Sequence, residues 1–413
     1  MRARHRAAGA GTAIVAVLVL GSAGGSWADD AATPSATAAT PSATATPTAM
    51  GSVVVEPAPA DDLAAAAAQR VEAMSTREQA ASVVMGHIPT TDPGALKSYM
   101  QATGIGGFIL MGANVPGDEA TLRAVTAALT TDAAFPPVLA IDQEGGDVSR
   151  LPWDDFRSSV DLKNEAPAAA ETAFAGRGAL VGRAGIGVNF GIVADETDDP
   201  SSFIFRRALG TTPAASADRV AAAVTGESSA ALSTLKHFPG HGAAPGDSHR
   251  GVPSTDMSKD QWLSGPAQPF RSGIDAGAPL LMFGHLAYTA VDARPATLSA
   301  EWHRIAREEL GFDGVAVTDD LGMLEASGIS SYSDPVANAV AALAAGNDLL
   351  LSVMFTSADS APRIVDGIVA AVDAGTLPPE RLREAATRVA QLRLQLAADG
   401  RGLLPCGDCP PVG

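Results

Sequence analysis

Cysteine is all but missing: two occur in 413 residues, Cys406 and Cys409, both within the last eight. A disulfide-framed scaffold is thereby excluded, because such scaffolds need several bridges to replace a large core. Cys-Gly-Asp-Cys without a second pair of ligands makes no zinc site, and outside the cell a small local disulfide pinning the tail is the expected state. Basic residues are also scarce, with 28 Lys and Arg against 46 Asp and Glu and a net charge of −18. That balance argues against nucleic acid or an anionic membrane as partner. Aromatic residues make up 5% of the chain, so helices must pack through small side chains, alanine above all. No apolar run is long enough to span a bilayer comfortably.

What is present bounds the organisation. Arg2, Arg4, His5 and Arg6 precede the apolar run Ala13–Leu20, and Ser26-Trp27-Ala28 offers small residues for a peptidase. Residues 1–28 therefore read as a signal peptide cleaved after Ala28, which places the protein outside the cell or in the envelope. Residues 29–60 are Ala, Thr, Pro and Ser almost throughout, a composition that cannot bury a core and predicts a disordered linker. The catalytic domain is expected over 61–400, followed by a tail at 401–413. Ser75-Thr-Arg-Glu78 is a capping box that opens its first patterned helix.

From there the chain alternates. Short apolar runs recur as GIGGFILMG, PPVLAIDQEGG, IGVNFGIVAD, STLKHF, APLLMFGH, FDGVAVTDD and NDLLLSV, with an eighth expected in Ala81–His87. Alanine-rich helical stretches separate most of them, at 118–129, 214–232, 299–310, 335–345 and 357–374. Such alternation predicts an α/β protein with a parallel sheet. A doubly wound sheet competes, but no glycine-rich phosphate loop follows the first strand. Polar residues end these runs: Asp142, Asp195, Lys236 with His237, His285 and Asp319. Several strands delivering polar groups to one rim is the pattern of a (β/α)8 barrel, whose active site lies at the C-terminal ends of its strands.

Two stretches carry the candidate chemistry. In GFDGVAVTDDLGM, Asp319 and Asp320 end a strand, so one carboxylate can enter the barrel mouth while the other faces elsewhere. In LKHFPGHGAAPGDSH, Lys236 and His237 end a strand and lead into a glycine-rich loop. Asp247 and His249 stand two apart, which in extended backbone puts both side chains on one side. A carboxylate beside an imidazole orients it and stabilises its cation, so the pair suits acid–base work. A metal site built from His237, His241, Asp247 and His249 is the rival reading.

These two stretches, with VLAIDQEGG, GVNFGIVAD and MFGHLAYTAVDARPATLS, resemble the family 3 glycoside hydrolases, specifically their β-N-acetylglucosaminidase branch. The resemblance runs from about residue 75 to 397. It implies a retaining hydrolase of terminal N-acetylglucosamine on peptidoglycan fragments, muropeptides or related glycans. Asp319 would be the nucleophile, His249 the general acid/base and Asp247 its partner. Asp142, Arg150, Arg207, Lys236 and His237 would bind the sugar, with the register of FIFRRALG favouring Arg207 over Arg206. No cofactor, no metal and a monomeric state are expected. Two departures stand out: Asp147 replaces the arginine that usually follows Glu-Gly-Gly, and FIFRRALG is looser than the usual pattern. A β-glucosidase or broad hexosaminidase, and a degenerate glycan-binding protein of the cell wall, are the alternatives.

Overall fold

The computed structural model describes residues 60–401. The expected signal peptide, the linker up to residue 59 and the tail with Cys406 and Cys409 lie outside the described residues. Eight apolar segments form one sheet: β1 (Val84–Gly86), β2 (Gly107–Leu110), β3 (Val138–Ile141), β4 (Val188–Val193), β5 (Leu232–Phe238), β6 (Leu280–Phe283), β7 (Val315–Thr318) and β8 (Leu350–Leu351). The order is β7-β6-β5-β4-β3-β2-β1-β8, every pair being parallel. A parallel bridge from Val317 to Leu349 joins the two ends, so the sheet rolls into the expected (β/α)8 barrel.

Local sequence explains where the elements start and stop. Ser75 and Glu78 form the reciprocal capping box, and the helix Thr76–Ser82 runs out just before β1, the strand sought in Ala81–His87. The stretch 214–232 is helical only over Pro213–Glu227, and Leu232 already belongs to β5. There the Ser228 hydroxyl donates to the Thr225 carbonyl at 2.8 Å, competition of the kind that favours helix ends. The stretch 299–310 is α-helical over Ala300–Arg304 and then widens into a π-helix over Ile305–Glu309. No helix among the described residues is long and apolar enough to cross a membrane.

Strand alternation sorts the core. Ile109, Ala140, Met282, Val317 and Leu351 join one interior cluster, whereas Phe108, Leu139, Leu281 and Ala316 pack outward under the helices. The last helix, Pro379–Ala398, adds Val389, Leu392 and Leu396 to the interior cluster. Leu396 sits so close to Gly187, just before β4, that a Cβ there would come within 2.7 Å of it. This helix stops the N-terminal end of the barrel and leaves the C-terminal end as the mouth.

Candidate active site

The mouth holds a cavity of about 320 Å³. Asp142 follows β3, Arg207 lies on the loop after β4, Lys236 and His237 end β5, and Asp319 follows β7. Arg150 and His249 reach it from loops, so seven of the eight expected site residues line one cavity. The eighth, Asp247, stands behind His249.

The polar wall is an ionic lattice. Lys236 Nζ donates to Asp142 Oδ1 at 2.9 Å and to Glu144 Oε1 at 2.6 Å. Arg207 grips the same Glu144 carboxylate through two bonds of 2.9 and 2.7 Å. Burial pushes the Glu144 carboxyl up, but the Arg207 and Lys236 charges outweigh it and hold the group well below the usual carboxylate range. Burial likewise lowers Lys236, and Asp142 with Glu144 more than restore its charge. Glu144 went unassigned in the sequence, although a signal existed: it lies two residues beyond Asp142, so strand periodicity puts both acids on one side.

His237 is fixed from behind. Its Nδ1 lies 2.6 Å from Asp195 Oδ2, and the buried Asp195 carboxylate also accepts the backbone N–H groups of His237 and His241. Nε2 lies 3.3 Å from Arg207 Nη2, which fits a tautomer that donates to Asp195 and accepts from Arg207. The strand-end position of Asp195 was visible in the sequence; its orienting contact was not.

Asp319 and Asp320 divide as expected. The Asp320 carboxylate accepts the backbone N–H groups of Gly322, Val353 and Met354 at 3.0, 2.8 and 2.8 Å, so it ties loops together. Asp319 Oδ1 accepts the Asp320 N–H at 2.8 Å and keeps the rest of its carboxylate for the cavity. Burial raises the Asp319 pKa, but His237, His285, the Asp320 N–H and Lys236 together bring it below the ordinary value. An ionised carboxylate is the form a nucleophile needs.

His249 Nδ1 lies 2.7 Å from Asp247 Oδ1, which also accepts the His249 backbone N–H at 3.0 Å. The expected pair exists, but not through extended backbone. Residues 248–250 form a turn, closed by the Arg250 N–H on the Asp247 carbonyl at 3.0 Å. Asp247 therefore folds back over its own loop, as short acidic side chains do in turns. The Phe203 and His249 rings stand nearly perpendicular with centroids 6.2 Å apart, and Arg207 lies 5.7 Å from the Phe203 centroid, a contact the sequence did not reveal.

The donors of the rival metal site do not converge. His237 turns to Asp195, His249 to Asp247, and the buried His241 ring bonds neither. Among the described residues no three His, Cys, Asp or Glu side chains are grouped to hold a metal ion. Asp147 pairs on the surface with Arg206 at 2.7 and 3.0 Å, so Arg206 is drawn outward and, of these two neighbours, Arg207 lines the cavity. The departure at 147 therefore leaves Arg150 and Arg207 in the lining.

The sequence pattern of the Glycosyl hydrolase family 3 N terminal domain matches residues 76–392. A β-hexosaminidase A of Pseudoalteromonas piscicida is 30% identical over 346 residues, 76% of this chain and 57% of that protein. A β-hexosaminidase of Methylococcus capsulatus is 31% identical over 297 residues, 70% of this chain and 86% of that protein. The solved structure of a family 3 β-N-acetylglucosaminidase from Paenibacillus sp. str. FPU-7 superposes with a TM-score of 0.73 at 29% identity. That match covers 79% of this chain and 64% of the other. The chain thus spans less than two thirds of two of these three relatives.

Proposed function

The chain belongs to glycosyl hydrolase family 3, and from that premise we propose that it is an exported, retaining β-N-acetylhexosaminidase that removes terminal β-linked N-acetylglucosamine from peptidoglycan fragments or related glycans. The observation that carries this reading is the pairing of an ionised Asp319 with a loop imidazole backed by Asp247 in one cavity. An Asp319 oxygen attacks the anomeric carbon as the bond from that carbon to the leaving oxygen breaks. The leaving oxygen takes a proton from His249 Nε2, the nitrogen not engaged by Asp247, and a glycosyl-aspartate results. His249 then takes a proton from water, the hydroxide oxygen bonds the anomeric carbon, and Asp319 leaves as carboxylate. Asp142, Arg150, Arg207, Lys236 and His237 bind the sugar hydroxyls. Export rests on the charged and apolar pattern of residues 1–28.

Hydrolysis of nitrophenyl β-N-acetylglucosaminide, with the β-glucoside alongside, tests the reading. Turnover of the acetamido sugar is expected, with Asp319→Asn down on the order of 10³-fold or more and His249→Ala down ~10²–10⁴-fold. Turnover of glucoside alone would keep the chemistry and replace the substrate. Silence on both from folded protein would favour a glycan-binding protein.

A further inference from the structure

The loop that carries His249 is tied to the barrel at both ends and unbonded to it in between. Before it, the Tyr288 hydroxyl and the Trp262 indole N–H donate to the carbonyls of Gly240 and Pro239, each at 2.7 Å. After it, the Ala287 N–H donates to the Pro253 carbonyl at 2.9 Å. Among the described residues, 244–252 make hydrogen bonds and ion pairs only within the loop itself. Asp247 belongs to that stretch, so it orients the imidazole but travels with it. Apolar packing holds Ala243, Ala244 and Val252, toward the ends of the loop. Whatever places the imidazole over the cavity must therefore come from another segment.

Phe203, half-buried on the loop after β4, is that neighbour. Its ring meets those of His241 and His249 at 70° and 85°, with centroids 4.5 and 6.2 Å away, the inclined geometry that aromatic pairs prefer. Among the described residues it is the one aromatic ring that meets His249. Its footing is firm. Ile204 beside it is fully buried, and the Phe205 and Arg207 N–H groups close turns on the Ser202 and Ile204 carbonyls at 3.0 and 2.9 Å. Arg207 is in turn clamped on Glu144. His241 is 1% exposed, and burial drives its pKa down to about 4, so it packs as a neutral ring. Phe203 does not line the cavity and reaches the sugar only through its neighbours. We propose that Phe203 is a positioning residue: braced on His241, it holds the loop so that His249 Nε2 meets the leaving oxygen. The inference rests on the glycosidase reading above.

A general acid matters most when the leaving oxygen is basic, so the test compares a β-linked N-acetylglucosamine disaccharide with dinitrophenyl β-N-acetylglucosaminide. The sugar oxygen needs a proton as its bond breaks, whereas dinitrophenolate departs without one. Phe203→Ala should lower kcat/KM about 10–100-fold on the disaccharide and less than about threefold on the dinitrophenyl glycoside. Phe203→Tyr should keep most of the activity on both. Phe203→Leu, which preserves bulk should the alanine variant fold poorly, should fall between the two. In the His249→Ala background, Phe203→Ala should cost less than about twofold further, because the group it positions is gone. Equal losses on both substrates, an undiminished loss in that background, or no loss at all would overturn the positioning role and leave the glycosidase reading intact. Failure of the wild type on both substrates would remove that reading and this role with it.

Discussion

The two ends of the barrel solve the same electrostatic problem to different purpose. At the closed end Asp348, just before β8, takes Arg307 at 2.6 Å, Arg381 at 2.7 Å, Arg388 at 3.3 Å and the Ala316 N–H at 3.0 Å. At the mouth Glu144 takes Arg207 and Lys236 at similar distances. Both are fully buried carboxylates held by cations from distant segments. The difference lies in the cations' other neighbours. Arg381 also donates to the carbonyls of Leu343 and Asn347, so its donors serve the fold. Arg207, Lys236 and the adjoining Asp142 border an open cavity. A buried ion pair is weak grounds for stability taken alone; whether its partners face protein or cavity decides what it is for.

Removing each carboxylate in turn sets the two ends against each other. Asp348→Asn should cost about 3–5 kcal/mol of stability, as a buried ionic cluster losing one partner does, while kcat/KM per folded molecule stays within about twofold. Denaturant unfolding alongside kinetics reads both quantities. Glu144→Gln should cost a comparable amount of stability and also depress kcat/KM at least ~10-fold, because Lys236 and Arg207 lose their placement. If Asp348→Asn proved as damaging to turnover as Glu144→Gln, the division between the ends would fail.

A smaller effect probes the loop. Asp247→Asn keeps the turn but removes the charge behind His249, and should lower kcat about 10-fold or somewhat more. Kinetics beside a Tm measurement reads it, and unchanged turnover would mean that Asp247 only shapes the loop.

The smallest effect concerns a buried carboxylate with no ion pair. Glu227 accepts from the Asn189 amide at 2.6 Å, and burial pushes its pKa up to about 8 despite that bond and nearby Arg177. Folding therefore favours its protonated form. The resulting stability is complete below the ordinary value of 4.5 and is lost as pH rises through about 8. Wild-type Tm should fall across that window more steeply than that of Glu227→Gln, whose amide does not titrate. Parallel Tm curves would show that Glu227 is ionised in the fold.

Much of the fold could be read along the chain because its determinants are near neighbours. The capping box at Ser75 and Glu78, the apolar runs and the polar residue ending each run are local patterns, and the barrel follows from their repetition. Some helix boundaries escaped, since 214–232 looks uniformly alanine-rich until the Ser228 hydroxyl turns on its own backbone. Around the site, Asp319, Lys236 and His237 were visible as strand ends. Glu144 was passed over despite its spacing from Asp142, because its partners Arg207 and Lys236 are distant in the chain, and Asp247 met His249 by a turn that spacing alone did not specify.

By itself the sequence determined the order of strands and helices, the strand-end acids and the loop that carries His249. These depend on side-chain period and backbone preference within a few residues. Only the tertiary structure decided that Arg207 faces the cavity while Arg206 meets Asp147, and that Glu144 joins Lys236. It also decided that Asp348 serves the closed end. Those contacts join residues that chain distance separates and barrel closure brings together. Their energy depends on burial, which no single segment possesses before the sheet closes.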